Sequence, residues 1–276
     1  MHARLEERFM KAVMWGAALL TATILVLIIG NVLINGLSHI DFEFLLANPR
    51  NMGREGGIYS SIVSTIYLVL VALAVSTPLG VGAAIFLVEY KRRGRLLSII
   101  RFTTECLAGI PSIIFGVFGF SFFVLFLGMG WSILSGALTL ALMVLPIIVR
   151  TSEEALRAVP NAHREGSLAL GATRAQTILR VVLPTAFPGI LTGVVLSTGR
   201  AVGESAAVIL TAGSALGVPR SLLAPGRALS VHLYVLAVEG ISMERAYATG
   251  AVLIMAVVTV NILMNQLSAR QRLRVR

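Results

Sequence analysis

Six stretches of this 276-residue chain stay apolar for about as long as a bilayer crossing requires. Roughly 20 helical residues cover the ~30 Å of hydrocarbon in a membrane. The stretches run over Val13–Leu37, Tyr59–Val88, Thr104–Leu127, Trp131–Val149, Thr185–Leu210 and Ala246–Leu267. The second is long enough to tilt or to project beyond the bilayer. The third and fourth are separated only by Gly128-Met129-Gly130. The first follows basic residues, as a signal peptide would. It is too long for that and lacks a clear small-residue cleavage site, so it reads as a retained span. The expected fold class is all-α, a polytopic membrane protein of six transmembrane helices in one domain over 1–276. Charged residues make up 13% of the chain, against about 25% in soluble domains.

The net charge of +10 would suit a nucleic-acid binder until its distribution is examined. With the N-terminus placed inside, 17 of the 23 basic residues fall on inner segments, among them Lys91, Arg92, Arg93, Arg95 and Arg101. Only Arg50, Arg54, Arg220, Arg227 and Arg245 fall outside, and Arg200 lies within the fifth span. This asymmetry predicts that both termini are cytoplasmic and assigns the positive charge to topology. Nucleic acid is not an expected partner. A single cysteine, Cys106, and four histidines without ligand spacing (His2, His39, His163, His232) point to neither a disulfide framework nor a metal site. Of the two larger outer segments, 38–57 is turn-rich. The other, 212–245, contains the apolar Val231–Val238, which suits a re-entrant or interfacial segment.

Between the fourth and fifth spans lies a polar island, 150–184. Thr151-Ser152-Glu153-Glu154 has the form of a capping box and predicts a helix starting there and running to Val159. Pro160 ends it, and Asn161 suits the N-cap of a second helix carrying Arg164, Glu165, Leu168 and Leu170. Glu165 falls in the early half of that helix, where the dipole favours an acid. Gly171 fits the left-handed position that closes it. Thr173 and Gln176 form another capping box, opening a third helix through Arg180, and Pro184 fits the first turn of the fifth span. Two short helices joined at a glycine can present one compact docking surface. An ordinary charged loop is the alternative that local physics leaves open.

The spacing Glu165-Gly166-Ser167-x3-Gly171-x9-Val181-x-Leu183-Pro184 resembles the EAA loop of ABC-importer permeases, E-A-A-x3-G-x9-I-x-L-P. The departures at Gly166, Ser167 and Val181 are small or apolar. Over about Gly57–Asn265 the chain is similar to the phosphate-importer permeases. The similarity rests on Leu107-Ala108-Gly109-Ile110-Pro111-Ser112-Ile113-Ile114-Phe115-Gly116, Leu145-Pro146-Ile147-Ile148-Val149-Arg150 and Gly199-Arg200-Ala201-Val202-Gly203-Glu204-Ser205. The stretch His232-Leu233-Tyr234-Val235-Leu236-Ala237 is more similar to the A-type than to the C-type subunit. This resemblance implies the type I importer permease fold in a prokaryotic cytoplasmic membrane. It also implies coupling through Glu165 and Gly171, with Arg164 and Leu168 beside them, to two copies of an ATP-binding subunit. A second homologous permease subunit and an extracytoplasmic phosphate-binding protein would complete the assembly. No cofactor is implied.

Arg200 and Glu204 are four residues apart in an apolar span, hence expected on one helix face. Charge near the bilayer centre costs roughly 2.5–3.5 kcal/mol, so such residues face a cavity or each other. A guanidinium matches a tetrahedral oxyanion in a way that an ammonium does not. Arg200 is therefore a candidate phosphate contact in the pathway, tuned by Glu204. A salt bridge is the structural alternative. Arg150 is a further pathway candidate or a positive-inside anchor. Gly189-x3-Gly193 and Gly199-x3-Gly203 both suggest close helix contacts. Pro111, beside Gly109 and Gly116, either breaks the third span or kinks it.

Three function classes remain. A permease subunit predicts no nucleotide site, and neither Lys11 (after Met10) nor Lys91 (after Tyr90) completes a Gly-Lys-Ser/Thr motif. An ion-coupled secondary transporter would use Glu204 as a proton site. An intramembrane enzyme based on Ser205 and His232 lacks a nucleophile motif.

Overall fold

The structure is a computed structural model that describes residues 2–90 and 94–274. Lys91, Arg92, Arg93 and Arg276, counted above in the charge asymmetry, lie outside the described residues. Among the described residues, five helices are long and apolar enough to cross a membrane: Phe9–Leu37, Tyr59–Tyr90, Ile133–Arg157, Arg174–Gly203 and Met243–Leu263. A sixth candidate is a broken pair, Ser98–Gly109 and Ser112–Phe126, whose halves meet at 103°.

In chain order, α1 (His2–Leu37) leads through the one-turn α2 (Phe42–Leu46) into a small hairpin. Its strands, β1 (Pro49–Arg50) and β2 (Glu55–Gly56), pair antiparallel with Pro49 opposite Gly56 and Arg50 opposite Glu55. α3 (Tyr59–Ile85) ends in a wide π turn, Phe86–Tyr90. α4 (Arg95–Gly109) and α5 (Ser112–Gly119) follow, and a second π segment extends α5 to Phe126. The break between them has a local cause. A residue before proline is pushed out of the helical region, and Ile110 (ψ 131°) and Pro111 (ψ 140°) are both extended. Pro111 therefore breaks the span outright.

The core forms where α3 meets α6 (Ile133–Arg157). On α3 the buried residues Ser60, Ser64, Leu68, Ala72, Ser76, Gly80 and Ala84 recur every fourth position. They form a ridge of mostly small side chains. A Cβ on Gly80 would lie 2.7 Å from Ile148 Cγ2, so the two helices touch almost backbone to side chain. Lipid offers no hydrophobic drive for helix association, and close dispersion contact of this kind holds a membrane bundle together. Leu140, Val144 and Ile148 of α6 fill the same core, joined by Ala201 and Val202 of α9 (Leu183–Gly203). A second cluster lies at the polar-island end of the bundle: Ala84, Leu156, Val159, Val182, Ala186 and Ile190.

The remaining elements are α7 (Asn161–Ala169), α8 (Arg174–Thr177), α10 (Ala206–Thr211), α11 (Leu229–Val238) and α12 (Met243–Arg274). α11 is too short to cross a membrane and buries Leu229, Val231, His232, Val235 and Leu236. The stretch before it folds back to finish α6: the amides of Ile133 and Leu134 donate to the carbonyls of Ala224 and Leu222. The helix N-terminus would otherwise leave these donors unpaired. The apolar part of α1 is exposed over most of its length, and near its end Gly36 lies directly against Tyr247 and Ala251 of α12.

Candidate functional site

The polar island is a helical hairpin, built differently from its expected caps. α6 does not restart at Thr151; it runs unbroken to Arg157, and the Thr151 hydroxyl donates to the carbonyl of Ile147 2.8 Å away. A 25-residue helix is about 38 Å long, more than the hydrocarbon thickness, so its polar end projects. The helix stops before Pro160, as expected. Pro160 itself, not Asn161, occupies the N-cap position of α7, with no side-chain cap bond. Glu165 is the middle residue of the nine in α7, beyond the first turn where the dipole acts.

The turn between α7 and α8 follows the expectation for glycine. Gly171 has φ of +84°, the left-handed region. Its amide donates to the Leu168 carbonyl at 3.0 Å, and the Ala172 amide to the Ser167 carbonyl at 3.2 Å. This crossed pair satisfies carbonyls that the end of a helix leaves open. Thr173 and Gln176 form the reciprocal capping box, with the Thr173 amide 2.9 Å from Gln176 Oε1. From α8 the chain continues through a π turn, Ile178–Val182, straight into α9. Pro184 has no amide hydrogen and its ring crowds the carbonyl four residues earlier. The widened turn just before it accommodates both defects.

Charge fixes this hairpin to the bundle. Arg164 faces inward: its Nε and Nη2 donate to one oxygen of Glu89 at 3.0 and 2.8 Å. Nη1 also reaches the Val159 carbonyl at 2.6 Å, and Nη2 the Leu156 carbonyl at 2.7 Å. The side chains of Arg164 and Glu89 are only 13% and 9% exposed. Removing one partner of such a buried pair costs about 3–5 kcal/mol, because the other charge is left unpaired. Arg174 of α8 donates to the Glu89 carbonyl and lies 5.3 Å above the Tyr90 ring. Ser167 and Thr177 hydroxyls, 3.0 Å apart, tie α7 to α8. Glu165, Leu168 and Leu170 point outward and are exposed. The hairpin therefore turns Arg164 to the bundle and leaves an acid and two leucines exposed on its other side.

Sequence reasoning passed over Glu89. The second apolar run ends at Val88, which leaves Glu89 as a flanking residue. Its signal was an acid directly after a long apolar run, with arginines concentrated in the polar island. Beside it, Glu153 accepts from Arg101 Nη2 at 2.7 Å and Arg157 Nη2 at 2.6 Å, linking α4 to α6. Arg150 pairs with Glu154 at 3.3 Å in the open and borders a cavity of about 250 Å3.

Arg200 and Glu204 are not one helical pair. α9 ends at Gly203, and Glu204 has extended backbone (φ −77°, ψ 121°). Its carboxylate accepts from the amide of Ala207 at 3.1 Å, capping α10, and its carbonyl accepts from the Ser230 hydroxyl at 2.7 Å. The break is thus internally satisfied, as non-helical backbone at membrane depth must be. Arg200, in the last turn of α9, is exposed and forms no hydrogen bond or ion pair among the described residues. The two GxxxG patterns also part company. Gly189 and Gly193 press against Ala155 and Thr151 of α6, whereas a Cβ on Gly199 or Gly203 would meet nothing within 4 Å. The second pattern faces open space beside Arg200 among the described residues.

Comparison with known proteins agrees with this architecture. Residues 76–276 match the model of a family described as the binding-protein-dependent transport system inner membrane component. The probable ABC transporter permease protein YqgI of Bacillus subtilis (strain 168) is 33% identical over 98% of this chain and 96% of its own length. The phosphate transport system permease protein PstA 1 of Mycobacterium tuberculosis (strain CDC 1551 / Oshkosh) is 37% identical over 75% of this chain and 69% of its own. Among solved structures, a bacterial alginate ABC transporter chain superposes with a TM-score of 0.69 at 18% identity, covering 93% of this chain and 94% of that one. A likeness at that identity concerns the fold. A chain of apolar crossing helices with a glycine-hinged polar hairpin between two of them, matched by the family model from Ser76 onward, belongs to the binding-protein-dependent transport system inner membrane components.

Proposed function

We propose that this chain is a non-catalytic permease subunit of an ATP-driven importer of inorganic phosphate, forming half of the translocation pathway. The observation that carries the reading is the α7–Gly171–α8 hairpin, which is anchored inward by Arg164 and exposes Glu165 and Leu168. A surface held rigidly on one side and bare on the other is what a docking element needs. The basic asymmetry of the segments supports a cytoplasmic hairpin and cytoplasmic termini. Two copies of an ATP-binding subunit would dock there and drive the transport. A second, homologous permease subunit would complete the pathway, and an extracytoplasmic binding protein would deliver the anion.

Phosphate as cargo is supported by the 37%-identical relative named a phosphate transport system permease. The uncommitted Arg200 guanidinium beside open space suits a transient oxyanion contact. Glu204 is occupied in capping α10, which disfavours a proton-coupled mechanism through that carboxylate. The test is uptake into proteoliposomes by the reconstituted assembly, with labelled phosphate and competing sulfate or molybdate. ATP-dependent phosphate uptake resistant to the other two supports the reading. Displacement of phosphate by sulfate or molybdate reassigns the cargo, and uptake driven by an ion gradient without ATP overturns the mechanism.

A further inference from the structure

We infer that Glu89 is a positioning residue for energy coupling: it is the strut through which displacement of the α7–α8 hairpin reaches α3. The inference rests on the permease reading above and goes beyond it.

Four observations converge on this residue. First, α7 buries none of its residues, so apolar packing does not fasten that helix to the bundle. Second, the space between its base and the end of α3 is a cavity of about 370 Å3 lined by Leu87, Val88, Glu89, Arg157, Asn161 and Arg164 among others. The connection across it is polar. Third, that connection converges on one residue: the Glu89 carboxylate receives Arg164 of α7, and the Glu89 carbonyl receives Arg174 of α8. Arg164 also holds the carbonyls of Leu156 and Val159, so the end of α6 is gathered into the same node. Fourth, Glu89 sits in the π turn that ends α3, and a second π turn joins α8 to α9. Such turns are often functional.

The hairpin is joined covalently to α6 through Pro160 and to α9 through the second π turn. Its attachment to α3 is non-covalent. Without the Glu89 carboxylate, α7 could swing at Pro160 and at Gly171 while α3 stayed in place, with Arg174 still on the backbone carbonyl of residue 89. With it, a push on α7 or α8 is delivered to a helix whose small-residue ridge is locked against α6. A charge-assisted pair of guanidinium and carboxylate with both side chains nearly buried suits this task, because its geometry is specific.

The test measures phosphate transported per ATP hydrolysed by the complete reconstituted assembly. The variants are Glu89→Ala, Arg164→Ala, the double substitution and Glu89→Gln. Each single alanine leaves a buried charge or carbonyl set unpaired and lowers the yield of assembled complex. The double substitution removes both charges and recovers assembly, yet its transport-to-hydrolysis ratio stays at least tenfold below the unsubstituted assembly. Glu89→Gln preserves volume, assembles, and loses the ratio severalfold. A purely structural pair gives the opposite result: uptake and hydrolysis fall in proportion to assembled complex, and the double substitution or Glu89→Gln restores the full ratio. Either of those outcomes overturns the proposal. An unsubstituted assembly without ATP-driven uptake of phosphate, sulfate or molybdate overturns the permease reading instead, and the proposal with it.

Discussion

At the scale of single residues, the chain separates its arginines by whether they are committed. Arg101, Arg157 and Arg164 each hold a carboxylate, two of them sharing Glu153. Arg150 pairs loosely with Glu154, both largely exposed, an interaction worth little in water. Arg200 is the contrast, exposed in the last turn of α9 beside two glycines with open space around them. A guanidinium in a crossing helix carries a solvation cost, and no carboxylate among the described residues offsets it here. If it contacts the anion in transit, Arg200→Gln should lower phosphate uptake at least tenfold. Arg200→Lys, which keeps charge but loses the planar fork, should retain part of it. Uptake measured at matched membrane insertion decides the point, and normal rates in both variants would sink the role. The spacing of Arg200 and Glu204 invited a helical pair. The helix stops between them, and the Glu204 carboxylate instead accepts from the amide of Ala207 in the first turn of α10. Single-sequence spacing could not reveal that competition.

At the scale of elements, local chemistry and tertiary packing contributed unequally to what could be read. Gly171, Thr173 and Gln176 behaved as their side chains dictate, since each effect is confined to a few neighbouring residues. Pro111 likewise broke its span. Thr151-Ser152-Glu153-Glu154 also has the form of a capping box, but α6 passes through it. There the helix was already under way and extending it required no new nucleation, so the cap pattern had nothing to start. The two GxxxG patterns are equivalent in sequence and differ only in what lies opposite them. Packing therefore predicts an asymmetry. Gly193→Leu would drive a side chain into Thr151 and should destabilise the complex by about 1–3 kcal/mol. Gly199→Ala should leave its thermal unfolding in detergent unchanged. Equal effects at the two sites would contradict the observed contacts.

At the scale of the whole molecule, the apolar runs specified the class of fold and the approximate crossing helices before any contact was known. What they could not specify was how the polar segments return to the bundle. The stretch 212–228 caps the start of α6, and the hairpin 160–177 is clamped at Glu89. Both depend on partners far away in the chain. Glu89 was invisible to a local reading because Arg164 lies 75 residues beyond it. On the proposed function, the exposed hairpin of this bundle would receive force from a partner and pass it into α3 and α9. That proposal requires the ATP-binding subunit to seat on α7. The most direct measurement places a photo-crosslinking residue at Leu168, which is 48% exposed on α7, and another at Trp131, outside the hairpin, in an assembly that transports. The account predicts an adduct with the ATP-binding subunit from position 168 and none from position 131. An active assembly that gives no such adduct from 168, or gives it equally from 131, would contradict it.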